Sequence, residues 1–187
     1  HFGSKQYIID SAAMNNKGEV VFSGKEKLFG GVYMVIYPQK NGWFEMLIDK
    51  QQHFSVTADT LDIIGKTVYS NSPDNDLFQA YQKTAQEKGK AIFTLQNKLK
   101  SPDSVKIRSE IISLNATMQQ YREDFIKAHP NHLLSAIFHL LQEPKVPDAS
   151  LQPGGKYDSL FAYQYYNQHF WDGVSFTDER LVRTPVF

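Results

Sequence analysis

The strongest constraint on the fold is a change of hydrophobic pattern at residues 72–75, where β-type segments give way to helical spacing. Beyond Ser72-Pro73, apolar residues recur every three or four positions in two stripes of similar length. The stripes are Phe78, Tyr81, Ala85, Ile92, Leu95 and Leu99, with Lys88 in the remaining position, and Ile107, Ile111, Leu114, Met118, Tyr121 and Phe125. This spacing is typical of the apolar seam of a long helix. Because a Pro-containing turn at 101–104 separates the stripes, they predict a long antiparallel helical hairpin.

Before residue 72, short segments rich in β-branched and aromatic residues alternate with turn residues, which is typical of strands. The candidates are residues 5–10, 19–24, 32–37, 43–48, 53–57 and 67–69. Asn41-Gly42 is a common hairpin turn, because both of its positions need φ > 0. We therefore predict an α+β chain: an antiparallel β-meander or half-sandwich over residues 1–72, followed by a helical module over residues 73–187.

The rest of the helical module contains two further helix candidates. Residues 132–141 are very apolar, which predicts a short buried helix after His129-Pro130. Residues 143–155 contain three prolines and two glycines and are expected to form a loop. Residues 157–171 then form an aromatic helix candidate that Asp172-Gly173 ends.

Composition excludes several classes of function. Lys and Arg number 20, as do Asp and Glu, so the net charge is zero and a strongly basic nucleic-acid groove is not expected. No apolar run approaches the roughly 18 residues of a membrane span. Cysteine is absent, which excludes thiolate metal ligands, cysteine nucleophiles and CxxC redox chemistry from this chain itself.

No catalytic residue, cofactor or metal site is predicted for the chain. His129 and His132 flank a proline, and His139 lies about 10 Å further along the helix, so the three histidines are interpreted as capping or surface residues. Gly30-Gly31 lacks the lysine of a phosphate loop and is interpreted as a strand start or bulge with unusual dihedral angles. Two side-chain pairs remain as weaker alternatives: Glu45 with Asp49, as paired carboxylates, and His169 with Asp172, as a dyad at a helix end.

An aromatic cluster between residues 157 and 176 is the remaining signal. The simpler explanation, which we favour, is that the helix over residues 157–171 packs against the helical hairpin. The alternative is a contact surface formed by Tyr163, Tyr166, Phe170 and Trp171, because Tyr and Trp combine an apolar body with a polar tip and suit interfaces or sugar platforms. Tyr163, opposite Phe161 and Tyr165 on the helix, is the better candidate for an exposed contact.

The chain resembles the N-terminal, non-thioredoxin region of Bacteroidetes cell-envelope thiol–disulfide oxidoreductases of the TlpA/ResA type. Four stretches carry this likeness. They are Lys5–Asp10 leading to Gly18; Gly30–Tyr33 with Phe44-Glu45 and Gln52–Val56; Ser72–Phe78; and Tyr166–Asp172 with Phe176, Asp178, Arg180-Leu181 and Arg183–Phe187. Together they extend over nearly the whole chain, and the last stretch is the most distinctive.

The resemblance implies a β module that lacks its first strands, a helical module, and a linker to a C-terminal thioredoxin-like domain carrying CxxC that is not in this sequence. It also implies a periplasmic or envelope location, with a possible lipid anchor upstream. The expected role is that of a non-catalytic accessory region, which positions the redox domain, dimerises or recognises client proteins. Two alternatives stay open: a stand-alone extracellular glycan- or peptide-binding module, and a hydrolase using His169 and Asp172.

Overall fold

The computed structural model describes residues 5–37, 42–100 and 102–186, and the α+β class is confirmed. Two small antiparallel sheets precede a helical region. The elements are β1 (Gly31–Tyr37), β2 (Gly42–Ile48), β3 (Ser55–Thr57), α1 (Ile63–Lys66), β4 (Val68–Ser70), α2 (Pro73–Gln96), α3 (Ser104–Ala128), α4 (Leu133–Leu140) and α5 (Ser159–His169). Short 3₁₀ turns lie at Ala149–Leu151, Pro153–Gly155 and Leu181–Arg183. In the described part of the chain, no helix combines the length and apolarity that crossing a bilayer requires.

In the part of the chain that the structure describes, each strand of the two sheets pairs with a strand adjacent to it in sequence. β1 and β2 run antiparallel in a register that joins Gly31 to Ile48 and Tyr37 to Gly42. β3 and β4 form a second pair with Val56 opposite Tyr69. The expected Asn41-Gly42 turn falls partly on residues 38–41, outside the described residues.

Two of the six strand candidates are wrong. Apart from a single bridge at Lys5, residues 5–10 and 19–24 form no strand, and their side chains are exposed. The hydrogen bonds of a strand come from its neighbours, and the strand pairs that the structure describes are β1 with β2 and β3 with β4. Strand-type composition without a partner strand therefore leaves these segments irregular.

The helical hairpin is confirmed. α2 begins with Ser72 at the N-cap position and Pro73 as its first residue, as the sequence predicts. Every residue of the two apolar stripes is buried or half-buried, including Lys88. The two helices are each about 36 Å long, and their far end exposes Phe93, Val105 and Ile112.

One core joins the β hairpin to the helices. Val32 and Leu47 pack with Phe78, Phe125 and the buried face of α4, and Leu181 of the C-terminal segment completes the cluster. Phe138 is 0% exposed, and its ring lies 4.7 Å from that of Tyr81 and 5.4 Å from that of Phe125. The β and helical segments therefore share a hydrophobic core.

Asn75, in the first turn of α2, connects that helix to the sheet. Its Oδ1 accepts a hydrogen bond from the backbone N–H of Leu47 at 2.7 Å, and its Nδ2 donates to the carbonyl of Leu47 at 2.9 Å. The side chain is fully buried and also donates to Ser72 Oγ. One amide side chain thus satisfies both backbone groups of a β2 residue.

Gly30 and Gly31 lie against the C-terminal segment, and neither has a positive φ, so the expected unusual dihedral angles are wrong. A Cβ on Gly30 would lie 2.7 Å from Arg180 Cγ, and one on Gly31 would lie 2.5 Å from Arg183 Cβ. The physical reason for the two glycines is close approach of another segment. Leu181 and Thr184 are almost completely buried there, so the C-terminal segment is firmly held against β1.

Candidate functional site: an exposed aromatic helix

The aromatic helix α5 has a well-defined start. The carboxylate of Asp158 accepts hydrogen bonds from the backbone N–H groups of Leu160 at 2.8 Å and Phe161 at 3.2 Å, which caps the helix. After the helix, Gly173 adopts φ 78° and turns the chain. Residues 159–171, which follow the capping residue Asp158, contain no Asp, Glu, Lys or Arg.

No residue of α5 is buried, so the favoured packing of this helix against the helical hairpin is wrong. Tyr163 is 67% exposed and Trp171 is 50% exposed, whereas Tyr166 and Phe170 are half-buried. We call these four residues the aromatic surface. The sequence identified them as an alternative contact surface, and in the structure they are accessible to a binding partner.

The rings of this region contact one another in two series. Phe161, Tyr165 and His169 follow one line of the helix, with ring centroids 5.9 and 4.2 Å apart. Tyr166, Phe170 and Trp171 form the second, with separations of 5.4 and 4.7 Å, and Phe176 lies 5.4 Å beyond Trp171. Ring contacts therefore hold Tyr166, Phe170 and Trp171 of the aromatic surface in place, although the hydrophobic core does not support them.

His169 and Asp172 are brought together as the sequence suggested. His169 Nδ1 lies 2.6 Å from Asp172 Oδ2, and the two side chains are 40% and 69% exposed. The ring of Tyr165 stacks on the imidazole. These contacts orient His169 beside the aromatic surface, and its side chain is exposed enough to contact a partner.

A shallow cleft of about 610 Å³ opens between the end of β2, α4 and the C-terminal segment, and it was missed by sequence reasoning. Its floor holds Arg180, whose guanidinium donates to both carboxylate oxygens of Asp178 at 2.8 and 2.7 Å and to Asp49 Oδ2 at 2.6 Å. The hydrogen bonds from Arg180 hold the pKa of Asp178 below its usual range. Asp49 and Arg180 are 131 residues apart, so no spacing rule could have paired them.

The other predicted carboxylate, Glu45, lies within β2 opposite Met34. Burial raises the pKa of Glu45. Since Asp49 is instead engaged by Arg180, the two carboxylates occupy different environments. Within residues 5–37, 42–100 and 102–186, no group of three His, Cys, Asp or Glu side chains could hold a metal ion.

His132 borders a neighbouring part of the same cleft and caps α4. Its Nδ1 accepts a hydrogen bond from the backbone N–H of Leu134 at 3.0 Å, which requires that nitrogen to be unprotonated. Its Nε2 lies 3.2 Å from Asp74 Oδ1, without the geometry of a hydrogen bond. Burial lowers the pKa of His132, and His129 and Arg180 add to that effect, whereas Asp74 and Asp49 oppose it.

The capping role of His132 predicts a loss of stability in mild acid. Because the folded-state pKa lies below the ordinary value of 6.5, the unfolded chain binds more protons, and stability falls as pH drops from 6.5 through the folded pKa. Loss of the cap acceptor is worth about 0.5–2 kcal/mol. His132→Asn keeps a cap acceptor that does not titrate, so its urea-unfolding free energy should fall less between pH 7.5 and 5 than that of the wild type. The exposed His53→Asn is the control, and an unchanged acid response in His132→Asn would contradict the assignment.

No protein-family model, curated protein or solved structure matches this chain. The resemblance to the N-terminal region of thiol–disulfide oxidoreductases therefore stays a prediction. Three of its four stretches do meet in the structure: Gly30-Gly31 contacts the segment containing Arg180 and Arg183, and Asn75 binds β2.

Proposed function

We propose that this chain is a non-catalytic interaction module, the accessory region of a cell-envelope thiol–disulfide oxidoreductase, which positions a redox domain, dimerises or recognises client proteins. The observation that carries the proposal is the accessible, uncharged aromatic surface formed by α5 and the two residues that follow it. Interface cores are depleted of charged residues and enriched in Tyr, Trp and Phe. α5 has this composition, and none of its residues belongs to the hydrophobic core.

The C-terminal segment supports the positioning role. Residues 178–184 are held beside β1 and β2 by the ion pair of Arg180 with Asp49, which follows β2, and by buried Leu181 and Thr184. The guanidinium of Arg183 also lies 4.4 Å from the centre of the ring of Phe29, which precedes β1. A domain joined after this segment would leave the module from a fixed point. Sequencing the coding region downstream of Phe187 tests this part, since the proposal expects a thioredoxin-like domain with CxxC there.

Client recognition is tested with a reduced and alkylated unfolded protein as the probe. The chain contains two tryptophans, so Trp43→Phe leaves Trp171 as the only indole and its emission should shift to shorter wavelength on binding. Replacing Tyr163 with Ser and Trp171 with Ala together should weaken binding about tenfold to thirtyfold, the effect of removing interface hot spots. Affinities of the double variant and the wild type would be compared by isothermal titration calorimetry.

The matched control removes exposed apolar groups from the far end of the helical hairpin. Phe93 and Val105 are 66% and 81% exposed, and replacing both with Ser should leave probe binding unchanged. Equal weakening in the two double variants, or no binding by the wild type, would contradict client recognition through α5.

The second candidate is a stand-alone glycan-binding module, which the exposed Trp171 and Tyr163 favour as stacking platforms. A glycan array separates the two candidates. Selective binding to one class of oligosaccharide, lost in Trp171→Ala and accompanied by no affinity for unfolded protein, would replace client recognition with glycan recognition.

A further inference from the structure

The segment over residues 19–25 has the composition of a strand, but it pairs with none of the strands among the described residues. Val20, Val21 and Phe22 are 40%, 77% and 51% exposed. Within the described part of the chain, the backbone of residues 20–24 makes no hydrogen bond. A β-rich segment with unused donors and acceptors is a site for strand addition.

The exposed surface of the chain is large enough to include an interface with another molecule. The accessible area is 13104 Å², whereas a compact monomer of 21.4 kDa has about 9,100 Å². The excess of about 4,000 Å² is several times the roughly 800 Å² that each partner contributes to a standard interface. The chain therefore has ample surface for a second copy.

The charges of residues 19–25 favour antiparallel pairing of this segment with the same segment of a second copy. When two copies are paired so that Phe22 lies opposite Phe22, Glu19 of each copy falls opposite Lys25 of the other. Val21 then lies opposite Ser23, and the two Phe22 rings meet across the two-fold axis on the other face. Moving the register to centre on Val21 would lose both attractive pairs, because Glu19 would then lie opposite Ser23.

We propose that two copies of this chain associate through residues 19–25, which form an antiparallel two-stranded contact centred on Phe22. The inference rests on the proposed function in one respect, because it names the partner and the surface for the dimerising role. The partner is a second copy because the segment is complementary to itself in this register, with opposite charges at both ends of the contact.

Charge exchange tests the register. Glu19→Lys places like charges opposite each other at both ends of the contact and should raise the dimer dissociation constant about tenfold or more. The double variant Glu19→Lys with Lys25→Glu restores both pairs and should return the dissociation constant to the wild-type range. Sedimentation equilibrium of the full chain at increasing protein concentration measures all three.

A cysteine cross-link tests the centre of the contact. The natural chain has no cysteine, so Phe22→Cys introduces a single thiol, and directly opposed strand residues lie within the Cα range of a disulfide. Mild oxidation should give a disulfide-linked dimer much faster than in Leu61→Cys, whose site is 79% exposed but remote in sequence. Equal cross-linking of the two variants, a monomer at every concentration, or an unchanged dissociation constant in Glu19→Lys would overturn the proposal.

The two proposals fail separately. Glu19→Lys should weaken dimerisation and leave the binding of unfolded protein by one chain intact, whereas the Tyr163 and Trp171 variant should weaken the binding of unfolded protein and leave dimerisation intact. Loss of both properties in either variant, with unfolding free energy unchanged, would show that one surface serves both and would overturn the assignment of the dimer contact to residues 19–25.

Discussion

Phe138→Ala should lower the free energy of unfolding by about 3–5 kcal/mol, the largest effect that we expect from a single substitution in this chain. Phe138 is completely buried and lies in edge-to-face contact with Tyr81 of α2 and Phe125 of α3. Truncation would leave a cavity where α4 meets both long helices. Urea denaturation followed by far-UV circular dichroism measures the change.

Phe93→Ala is the matched control for Phe138, because it removes the same ring from a site that is 66% exposed. Its effect should stay within about 0.5 kcal/mol of the wild type, as for most surface substitutions. A loss below 2 kcal/mol in Phe138→Ala would show that the helices can close the cavity, and that α4 is less essential to the core than its burial indicates.

Gly31→Ala should destabilise the protein by about 1–3 kcal/mol through overpacking. The added Cβ would lie 2.5 Å from Arg183 Cβ and 2.9 Å from the carbonyl oxygen of Arg183. Since backbone atoms cannot move aside cheaply, the C-terminal segment must shift away from β1. Hydrogen exchange should therefore accelerate at Thr184, whose backbone N–H donates to the carbonyl of Leu181 at 3.1 Å.

Gly89→Ala is the opposite case within the same chain. Gly89 lies in the interior of α2, and a Cβ there would meet no atom within 4 Å. Alanine should therefore stabilise the helix by about 0.5–1 kcal/mol. If both glycine variants changed stability in the same direction, close approach of the C-terminal segment would not be the reason for Gly31.

The helical hairpin could be predicted because its determinants are local. A helix satisfies its own backbone hydrogen bonds, so the spacing from Phe78 to Leu99 and from Ile107 to Phe125 is sufficient to define which face is buried. The turn residues around Pro102 then bring the two faces together. The start of α2 at Ser72 and Pro73 could be predicted for the same reason, because helix capping depends on neighbouring residues.

The strands were less predictable because a strand depends on a partner elsewhere in the chain. Residues 19–24 have the same kind of composition as β1, yet only β1 has a neighbour that pairs with it. The short helix α1, between β3 and β4, was also missed. It is one turn capped by the carboxylate of Asp62, which accepts from the backbone N–H of Gly65 at 3.0 Å.

Sequence reasoning identified the residues of the aromatic surface and the exposure of Tyr163, but it favoured packing of the whole helix against the hairpin. An amphipathic helix and a helix that is aromatic on several faces contain the same residue types, and only the absence of a packing partner distinguishes them. The cleft at Arg180 could not be predicted from the sequence, because it lies between the end of β2 and a segment near the C-terminus. Its charged groups become neighbours only when both segments pack on the shared core.

The amide of Asn75 has a consequence for how molecules of this protein meet one another. By engaging both backbone groups of Leu47, it occupies a position on the outer side of β2 that an incoming strand would otherwise use. Exposed strand edges promote open-ended aggregation, and natural proteins cover or block such edges. A blocked edge on one side and an open segment at residues 19–25 would favour a closed pair of molecules over an open-ended polymer.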